Sequence, residues 1–219
     1  LLGIKLPANF NRPYLAENLT DFWRRWHITL SNWLRDYLYF SLPGLRSWKV
    51  FSYTNLILTM VVGGLWHGAS WTFVAWGLFH GLFLVVERLG VGMWLTRLPR
   101  ILGHSYTMLV VIVGWVFFRA ETFTQAIGFL RAMAGFGTGA PTPITLAYYL
   151  TPELLLALSA GIIGSTPIVP ALSAWLGSAD QERPLVVHVA ARATLVALFV
   201  ASVVQVAAGT YNPFIYFRF

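Results

Sequence analysis

Residues 50–86 decide the fold of this chain, and they read VFSYTNLILTMVVGGLWHGASWTFVAWGLFHGLFLVV. Two uncharged runs, residues 50–66 and 70–86, flank a glycine-rich turn that contains His67. Each run approaches the length of about 20 residues that an α-helix needs to cross a bilayer. The stretch therefore predicts two membrane-spanning helices, joined by a turn that carries one imidazole.

His67 is the first candidate functional residue, because an ionisable side chain at membrane depth is costly and marks a substrate or ion path by default. Apolar surroundings disfavour the charged imidazole, so the ring stays neutral and can accept a proton from a hydroxyl nucleophile. Gly63, Gly64 and Gly68 leave room beside it for a substrate or for a neighbouring backbone. The alternative is a packing histidine bonded to backbone carbonyls, and the residues alone leave both interpretations open.

The composition is that of a membrane protein. Of the 219 residues, 57% are hydrophobic and only 11% are charged, whereas soluble domains average about 25% charged. The absence of cysteine excludes disulfides and thiolate chemistry. The net charge of +7 lies in short segments between apolar runs, and the sequence contains no nucleic-acid-binding module, so we expect no nucleic-acid partner.

Five apolar runs predict an all-α protein that spans the membrane several times. The predicted spans are residues 50–66, 70–86, 101–118, 154–176 and 185–208. The fourth run contains two glycines and two prolines, which predict a bend or a break within it.

The loop charges predict an orientation. Seven Lys and Arg residues lie within residues 1–49, and three arginines lie between residues 88 and 100. The positive-inside tendency puts both segments on the cytoplasmic side and the His67 turn toward the outer side or within the membrane. Residues 119–151, rich in Gly, Thr and Pro, are then predicted to form an external loop.

Residues 18–40 predict an amphipathic helix before the first span. Apolar side chains, many of them aromatic, recur at spacings of three and four, with charged and polar side chains opposite. Asn18 followed by Asp21 is typical of a helix N-terminus. Such a helix is suited to the membrane interface or to packing against spans. His27 falls on the border between its two faces, where a catalytic role and a border position are both open.

The remaining polar candidates give weaker signals. Arg24 and Arg25 could contact an anionic donor or a lipid phosphate, or lie on a solvated cytoplasmic face. We interpret His80 as a buried packing histidine. A metal site built from His27, His67 and His80 lacks further ligands, so we predict no metal site. A serine hydrolase lacks the G-x-S-x-G elbow.

The sequence resembles the membrane-bound O-acyltransferase family. The resemblance rests on these motifs: NFNRPY (9–14), DFWRRWHITLS (21–31), WLRDYLY (33–39), GGLWHGASW (63–71), FFRA (117–120) and PFIYFRF (213–219). Within the family, the chain is most similar to the bacterial alginate O-acetylation membrane proteins and more distantly to the teichoic acid D-alanyl transfer proteins. It departs from the alginate branch at residues 41–46, where SLPGLR replaces a Pro-Leu-Gly-Gly-Asn-like turn, which leaves the acceptor or partner open.

The resemblance implies a multi-pass protein of the bacterial inner membrane, with residues 1–219 as the C-terminal part of one membrane domain. It implies a tunnel along which an activated acyl group reaches acceptors across the membrane. It also implies that His67 is the catalytic base and His27 a second active-site residue. We predict substrate contacts at Arg24, Arg25, Trp26 and Trp66.

The leading hypothesis is a membrane-bound O-acyltransferase without a bound cofactor. It moves an acyl group, acetyl in the alginate branch, from acetyl-CoA or another acyl thioester to a hydroxyl. The acceptor is an extracytoplasmic polysaccharide such as alginate or a carrier or partner protein, and the further partners are membrane lipid and extracytoplasmic acetyltransferases. The alternative is a non-catalytic relay or pore subunit that passes acyl groups to a partner acetyltransferase. A secondary transporter would carry inverted repeats, which the sequence lacks.

Overall fold

The computed structural model describes residues 6–43, 49–137, 145–168, 170–171, 174 and 185–208. Within these residues the regular structure is helical and no β-strand occurs, which confirms the predicted helical class. The chain divides into two compact units, Leu1–Thr166 and Pro167–Phe219. The two histidines singled out by the sequence lie in the first unit.

The helices have the following bounds. Those of the first unit are α1 (Leu19–Arg25), α2 (Ile28–Trp33), α3 (Lys49–His67), α4 (Trp71–Val86), α5 (Gly92–Leu95), α6 (Arg100–Arg119), α7 (Phe123–Met133), α8 (Leu146–Tyr149) and α9 (Pro152–Ser165). The second unit contains α10 (Leu185–Ala207). Short 3-10 turns lie at Pro13–Leu15 and Tyr39–Ser41, and π-helical turns lie at Leu34–Leu38 and Glu87–Val91.

Two helical stretches of the described chain are long and apolar enough to cross a membrane. One is Trp71–Leu95, in which α4 continues through a π-helical turn into α5, and the other is α6. Their mean hydropathies are 1.4 and 1.8. The helices α3, α9 and α10 begin within two residues of three further predicted runs. The arrangement with five spans remains a prediction.

The single helix predicted over residues 18–40 is wrong, because the chain leaves the helical conformation after α1. Trp26 is extended, and His27 is left-handed with φ 45° and ψ 52°. The helix is interrupted by hydrogen bonds to residues that precede α1, which the periodicity of residues 18–40 does not indicate. The Asn11 N–H donates to the Arg25 carbonyl and the Ile28 N–H donates to the Asn9 carbonyl, each at 2.9 Å. These bonds stabilise the non-helical conformation of the residues between α1 and α2.

The predicted N-terminus of α1 is confirmed, and a buried carboxylate fixes that end of the helix. Asn18 Oδ1 accepts from the Asp21 N–H at 2.7 Å. Glu87, at the end of α4 and only 5% exposed, accepts from the backbone N–H of Leu19 at 2.6 Å and of Thr20 at 3.1 Å. Its Oε2 also accepts from the Thr20 hydroxyl at 3.0 Å. α1 is therefore tied to α4 at a defined register.

Glycines bring α3 and α4 into close contact. A Cβ atom on Gly64 would overlap the backbone carbonyl of Phe73, and one on Gly77 would overlap that of Met60. Small residues at such positions let two helix backbones approach closely. Gly64 therefore leaves room for a neighbouring backbone, that of α4, and not for a substrate.

The loop predicted over residues 119–151 is wrong in part, because it contains α7 and α8. Thr122 begins α7, with its hydroxyl accepting from the Gln125 N–H at 3.2 Å. α7 contacts α6, and its Ala126 is fully buried. Packing against α6 therefore stabilises α7, although the glycine, threonine and proline content of the segment predicts a loop.

The fourth apolar run breaks where its prolines predict. α9 ends at Ser165, two residues before Pro167. Proline has no N–H to continue the helix, and it disfavours the helical conformation of the residue before it. In the predicted run of residues 154–176, the first part is thus helical and belongs to α9, which ends at Ser165.

Candidate active site

His67 is the last residue of α3 and lies at the turn into α4. The Gly68 N–H donates to the Leu65 carbonyl at 3.2 Å and ends the helix. Ser70 begins α4, with its hydroxyl accepting from the Thr72 N–H at 3.3 Å. The turn is therefore short and well bonded, and it holds the His67 side chain half-buried at the end of the helix pair.

Four aromatic rings surround the His67 imidazole. The ring centroids lie 4.9 Å away for Trp66, 5.0 Å for Phe118, 5.4 Å for Trp76 and 6.3 Å for Phe73. These side chains come from α3, α4 and α6. Three helices thus build an apolar wall around an imidazole that is still partly accessible.

His27 lies at the break between α1 and α2, in a backbone conformation that is uncommon for a residue other than glycine. Its ring contacts Phe10 at 6.3 Å and Trp66 at 6.0 Å between centroids. Among the described residues, no hydrogen-bond partner reaches its buried Nδ1 atom. Such conformations persist only where the surrounding structure holds them, and they cluster at functional sites.

Asn9 holds the His27 turn from the other side. Its carbonyl accepts from the Ile28 N–H, and its side-chain Oδ1 accepts from both the N–H and the hydroxyl of Thr29. The two residues that follow His27 are thereby fixed to the segment that precedes α1, and the Asn11 N–H donates to the Arg25 carbonyl on the other side of His27. Asn9 was not singled out as a site residue by the sequence, although it begins the first family motif.

The structure brings the two predicted catalytic histidines to one place. His27 and His67 both contact the ring of Trp66, which is itself 60% exposed. Trp26, the residue before His27, lines a cavity of about 420 Å³ together with Phe10 and Tyr14. Of the four predicted substrate contacts, Trp66 therefore contacts both histidine rings, whereas Trp26 lines this cavity.

The two predicted arginine contacts lie elsewhere. Arg25 forms an ion pair with Asp21 at 2.9 Å. Arg24 is exposed and lines a second cavity, whose walls include Glu87 and Arg88. Successive residues of an α-helix point about 100° apart, so adjacent arginines face different surroundings.

His80 is 2% exposed, which confirms the prediction that it is buried. Its ring contacts Trp23 at 5.2 Å and Trp76 at 5.1 Å. A Cβ atom on Gly114 of α6 would overlap its Nε2 atom, so the ring fills the space between helices. Within the described ranges, no group of three or more His, Asp or Glu side chains is placed to hold a metal ion.

Three rings of the His67 wall were not anticipated as site residues. Phe118 belongs to the FFRA motif, which indicates membership of the family but not that this ring lies against His67. Phe73 and Trp76 follow in α4 without any motif of their own beyond the apolar run. Only the folding of α4 back along α3 brings them to His67.

Comparison with known proteins identifies the family. Residues 1–124 match MBOAT, the membrane-bound O-acyltransferase family. A probable alginate O-acetylase of Azotobacter vinelandii is 36% identical over all of this chain and 49% of that protein. A peptidoglycan O-acetyltransferase of Helicobacter pylori is 48% identical over 61% of this chain and 26% of that protein. A teichoic acid D-alanyltransferase of Streptococcus thermophilus is 42% identical over 40% of this chain and 23% of that protein.

The chain spans about half the length of the alginate O-acetylases that it matches. A second such protein, from Pseudomonas putida, is 38% identical, and the chain covers 47% of its length. The family match covers the segment that carries both His27 and His67. The family motif at residues 213–219 lies outside the described residues. This chain belongs to the membrane-bound O-acyltransferase family, because the family model matches more than half of it and alginate O-acetylases align with its whole length.

Proposed function

We propose that the protein containing this chain is an integral-membrane O-acyltransferase that moves an acyl group from a thioester to a hydroxyl. The observation that carries the proposal is the contact of both His27 and His67 with Trp66. Two imidazoles at one aromatic side chain supply a base and a second polar group at one place. The names of the aligned relatives, which are O-acetylases, an O-acetyltransferase and a D-alanyltransferase, support the same reaction class.

In the proposed step, the neutral imidazole of His67 takes the proton of the acceptor hydroxyl as its oxygen attacks the thioester carbonyl carbon. A carbon–oxygen bond forms, the carbon–sulfur bond breaks, and the departing thiolate takes the proton from the His67 imidazolium. The aromatic wall supports this role, because apolar surroundings favour the neutral base before the reaction. Acid–base catalysis of this kind contributes about 10²–10⁴-fold in rate.

His27 has the second role in the proposal. It orients the donor or polarises the thioester carbonyl, and its buried Nδ1 atom is available to do so within the described chain. The left-handed backbone and the Asn9 hydrogen bonds support a fixed orientation of this ring. A preorganised polar group at the reacting carbonyl is worth most where water is excluded.

Trp26 and Trp66 are proposed to line the path of the substrates. The half-buried His67 and the exposed Trp66 support access from the surface to the His67 imidazole, and the cavity beside Trp26 extends to Phe10, whose ring contacts His27. We further propose that acetyl is the group transferred, that acetyl-CoA or another acyl thioester is the donor, and that the protein crosses the bacterial inner membrane several times. The acceptor is proposed to be an extracytoplasmic polysaccharide, such as alginate, or a carrier or partner protein.

The experiment that tests this proposal uses the full-length protein purified into liposomes. A labelled acetyl thioester is supplied with a candidate acceptor, and the label on the acceptor is measured with and without the partner acetyltransferase. The proposal predicts transfer by the wild-type protein alone and its loss in the His67→Ala protein. Transfer that occurs only with the partner present, and that is unchanged by His67→Ala, would instead assign a relay subunit.

A further inference from the structure

A polar cleft lies where the start of α1 meets the end of α4. Its volume is about 390 Å³, within the range of roughly 300–1,000 Å³ typical of small-molecule sites. The residues that line it are Asn18, Thr20, Asp21, Arg24, Glu87, Arg88 and Gly92. Glu87 lies eleven residues beyond Trp76 of the His67 wall, which is roughly 16 Å along a helix. The cleft is therefore remote from the His67 wall.

The two carboxylates of the cleft already have partners. Glu87 accepts from two backbone N–H groups and from the Thr20 hydroxyl. Asp21 accepts from Arg25 through both of its oxygens at 2.9 Å. Each of the four carboxylate oxygens thus already accepts a hydrogen bond within the chain.

The two arginines of the cleft have no such partner. Within the described ranges, no carboxylate lies within ion-pair distance of Arg24 or of Arg88. Arg88 is held by neutral groups instead, donating to the Tyr39 hydroxyl at 3.1 Å and to the Ser52 hydroxyl at 3.4 Å. The lining contains two guanidinium groups and two carboxylates, but Arg25, outside the lining, already neutralises Asp21. The two arginines of the cleft are therefore opposed only by Glu87.

The available donors are side chains. The N–H groups of Leu19, Thr20 and Asp21 are taken by Glu87 and Asn18. Asn18 accepts through its oxygen, which leaves its NH₂ group free to donate. Guanidinium groups bind phosphate through paired N–H bonds, and their charge persists at any physiological pH.

We propose that the Arg24–Arg88 cleft binds a phosphate ester. Its two sources in this setting are the headgroup of an anionic membrane lipid and the phosphate of the acyl donor. If the phosphate belongs to the acyl donor, the inference rests on the proposed function. Because the cleft is remote from His67, such a donor must carry its phosphate far from its thioester, at the other end of a long chain. The lipid source does not depend on the reaction.

The test compares Arg24→Gln with the matched variant Arg97→Gln, which changes another exposed arginine outside the cleft. Arg24 is chosen because Arg88 also holds Tyr39 and Ser52, so its removal would disturb folding. Arg24→Lys is the second variant, and it keeps the charge but not the paired donors. All variants are made in the full-length protein.

One arm measures acetyl-CoA binding directly in a His67→Ala background, in which transfer is not required. If the donor supplies the phosphate, Arg24→Gln weakens binding about tenfold, Arg24→Lys weakens it less, and Arg97→Gln leaves it unchanged. A phosphate-free acetyl thioester of N-acetylcysteamine binds equally to all variants. If this binding pattern holds but the protein with His67 intact transfers no acetyl group, the proposed function is refuted and the cleft assignment stands.

The other arm measures retention of phosphatidylglycerol and of phosphatidylcholine by native mass spectrometry. If a lipid supplies the phosphate, Arg24→Gln lowers phosphatidylglycerol retention about tenfold, whereas Arg97→Gln does not. The proposal is overturned if Arg24→Gln and Arg24→Lys match Arg97→Gln in both arms.

Discussion

The Trp66 indole contacts the imidazoles of both His27 and His67, at centroid distances of 6.0 and 4.9 Å and interplanar angles of 81° and 78°. The two histidines are 40 residues apart in the sequence, one in the break between α1 and α2 and the other at the end of α3. A single exposed ring thus links the turn before α2 with the end of α3. Its geometry makes Trp66 the side chain whose loss should disturb both histidines at once.

We expect Trp66→Leu to lower the acyl-transfer rate by about 10²-fold, because small displacements of reacting groups cost about that much. Trp66→Phe keeps an aromatic edge and should retain more activity. Trp94→Leu is the matched control, since Trp94 is 58% exposed and lies on α5. The measurement is single-turnover transfer by the full-length protein, and equal rates for Trp66→Leu and Trp94→Leu would contradict the linking role.

Asn9 is expected to act on His27 through Thr29. Asn9→Ala removes the side-chain acceptor of two hydrogen bonds, so kcat should fall about tenfold with little change in the donor KM. Asn9→Asp keeps an acceptor oxygen at the same place and should stay close to wild type. Steady-state kinetics decide the matter, and an Asn9→Asp protein as impaired as Asn9→Ala would show that the amide has another role.

Glu87 should contribute to stability through α1. Glu87→Ala leaves the N–H groups of Leu19 and Thr20 without their acceptor, at a cost of roughly 2–3 kcal/mol. Adding Thr20→Val to Glu87→Ala should then cost less than Thr20→Val does alone, because the hydroxyl has already lost its partner. Thermal unfolding in detergent measures these differences. Strict additivity of the two changes would argue against the Thr20–Glu87 bond.

Two glycine substitutions should have opposite effects on stability. Gly77→Ala places a Cβ atom against the Met60 carbonyl and should destabilise the α3–α4 pair by about 1–3 kcal/mol. Gly128→Ala, on α7, meets no atom within 4 Å and should stabilise that helix by up to about 1 kcal/mol. Unfolding midpoints of the two variants provide the comparison, and a neutral Gly77→Ala would mean that the helices pack less closely than described.

The long apolar helices could be predicted from the sequence because their boundaries depend on local composition. α3, α4 and α6 begin and end within about one residue of the predicted runs, as uncharged stretches end at charged residues or turns. The break at Trp26 and His27 could not be predicted in this way. It depends on the hydrogen bond that the Asn9 carbonyl accepts from Ile28 and on the one that the Asn11 N–H donates to Arg25, which exist only in the folded chain.

The candidate site shows the same division. His67 and His27 could be proposed from motifs, whereas Phe73, Trp76 and Phe118 reach His67 only through the packing of three helices. Arg24 and Arg25 have the same chemistry and adjacent positions, so the sequence could not separate them. Their different surroundings follow from the rotation of one residue along α1 and from the partner that Asp21 provides to Arg25.

The role of His67 as the base is tested by single-turnover acyl transfer by full-length His67→Ala protein to two alcohols that differ only in acidity. Transfer to the ordinary alcohol should fall about 10²–10⁴-fold, with a smaller loss for the more acidic alcohol, which needs less help to release its proton. His104→Gln, a change of a half-buried histidine on α6, should leave both rates unchanged. A His67→Ala protein that inserts, binds the donor and acylates the ordinary alcohol at the wild-type rate would show that His67 is not the base.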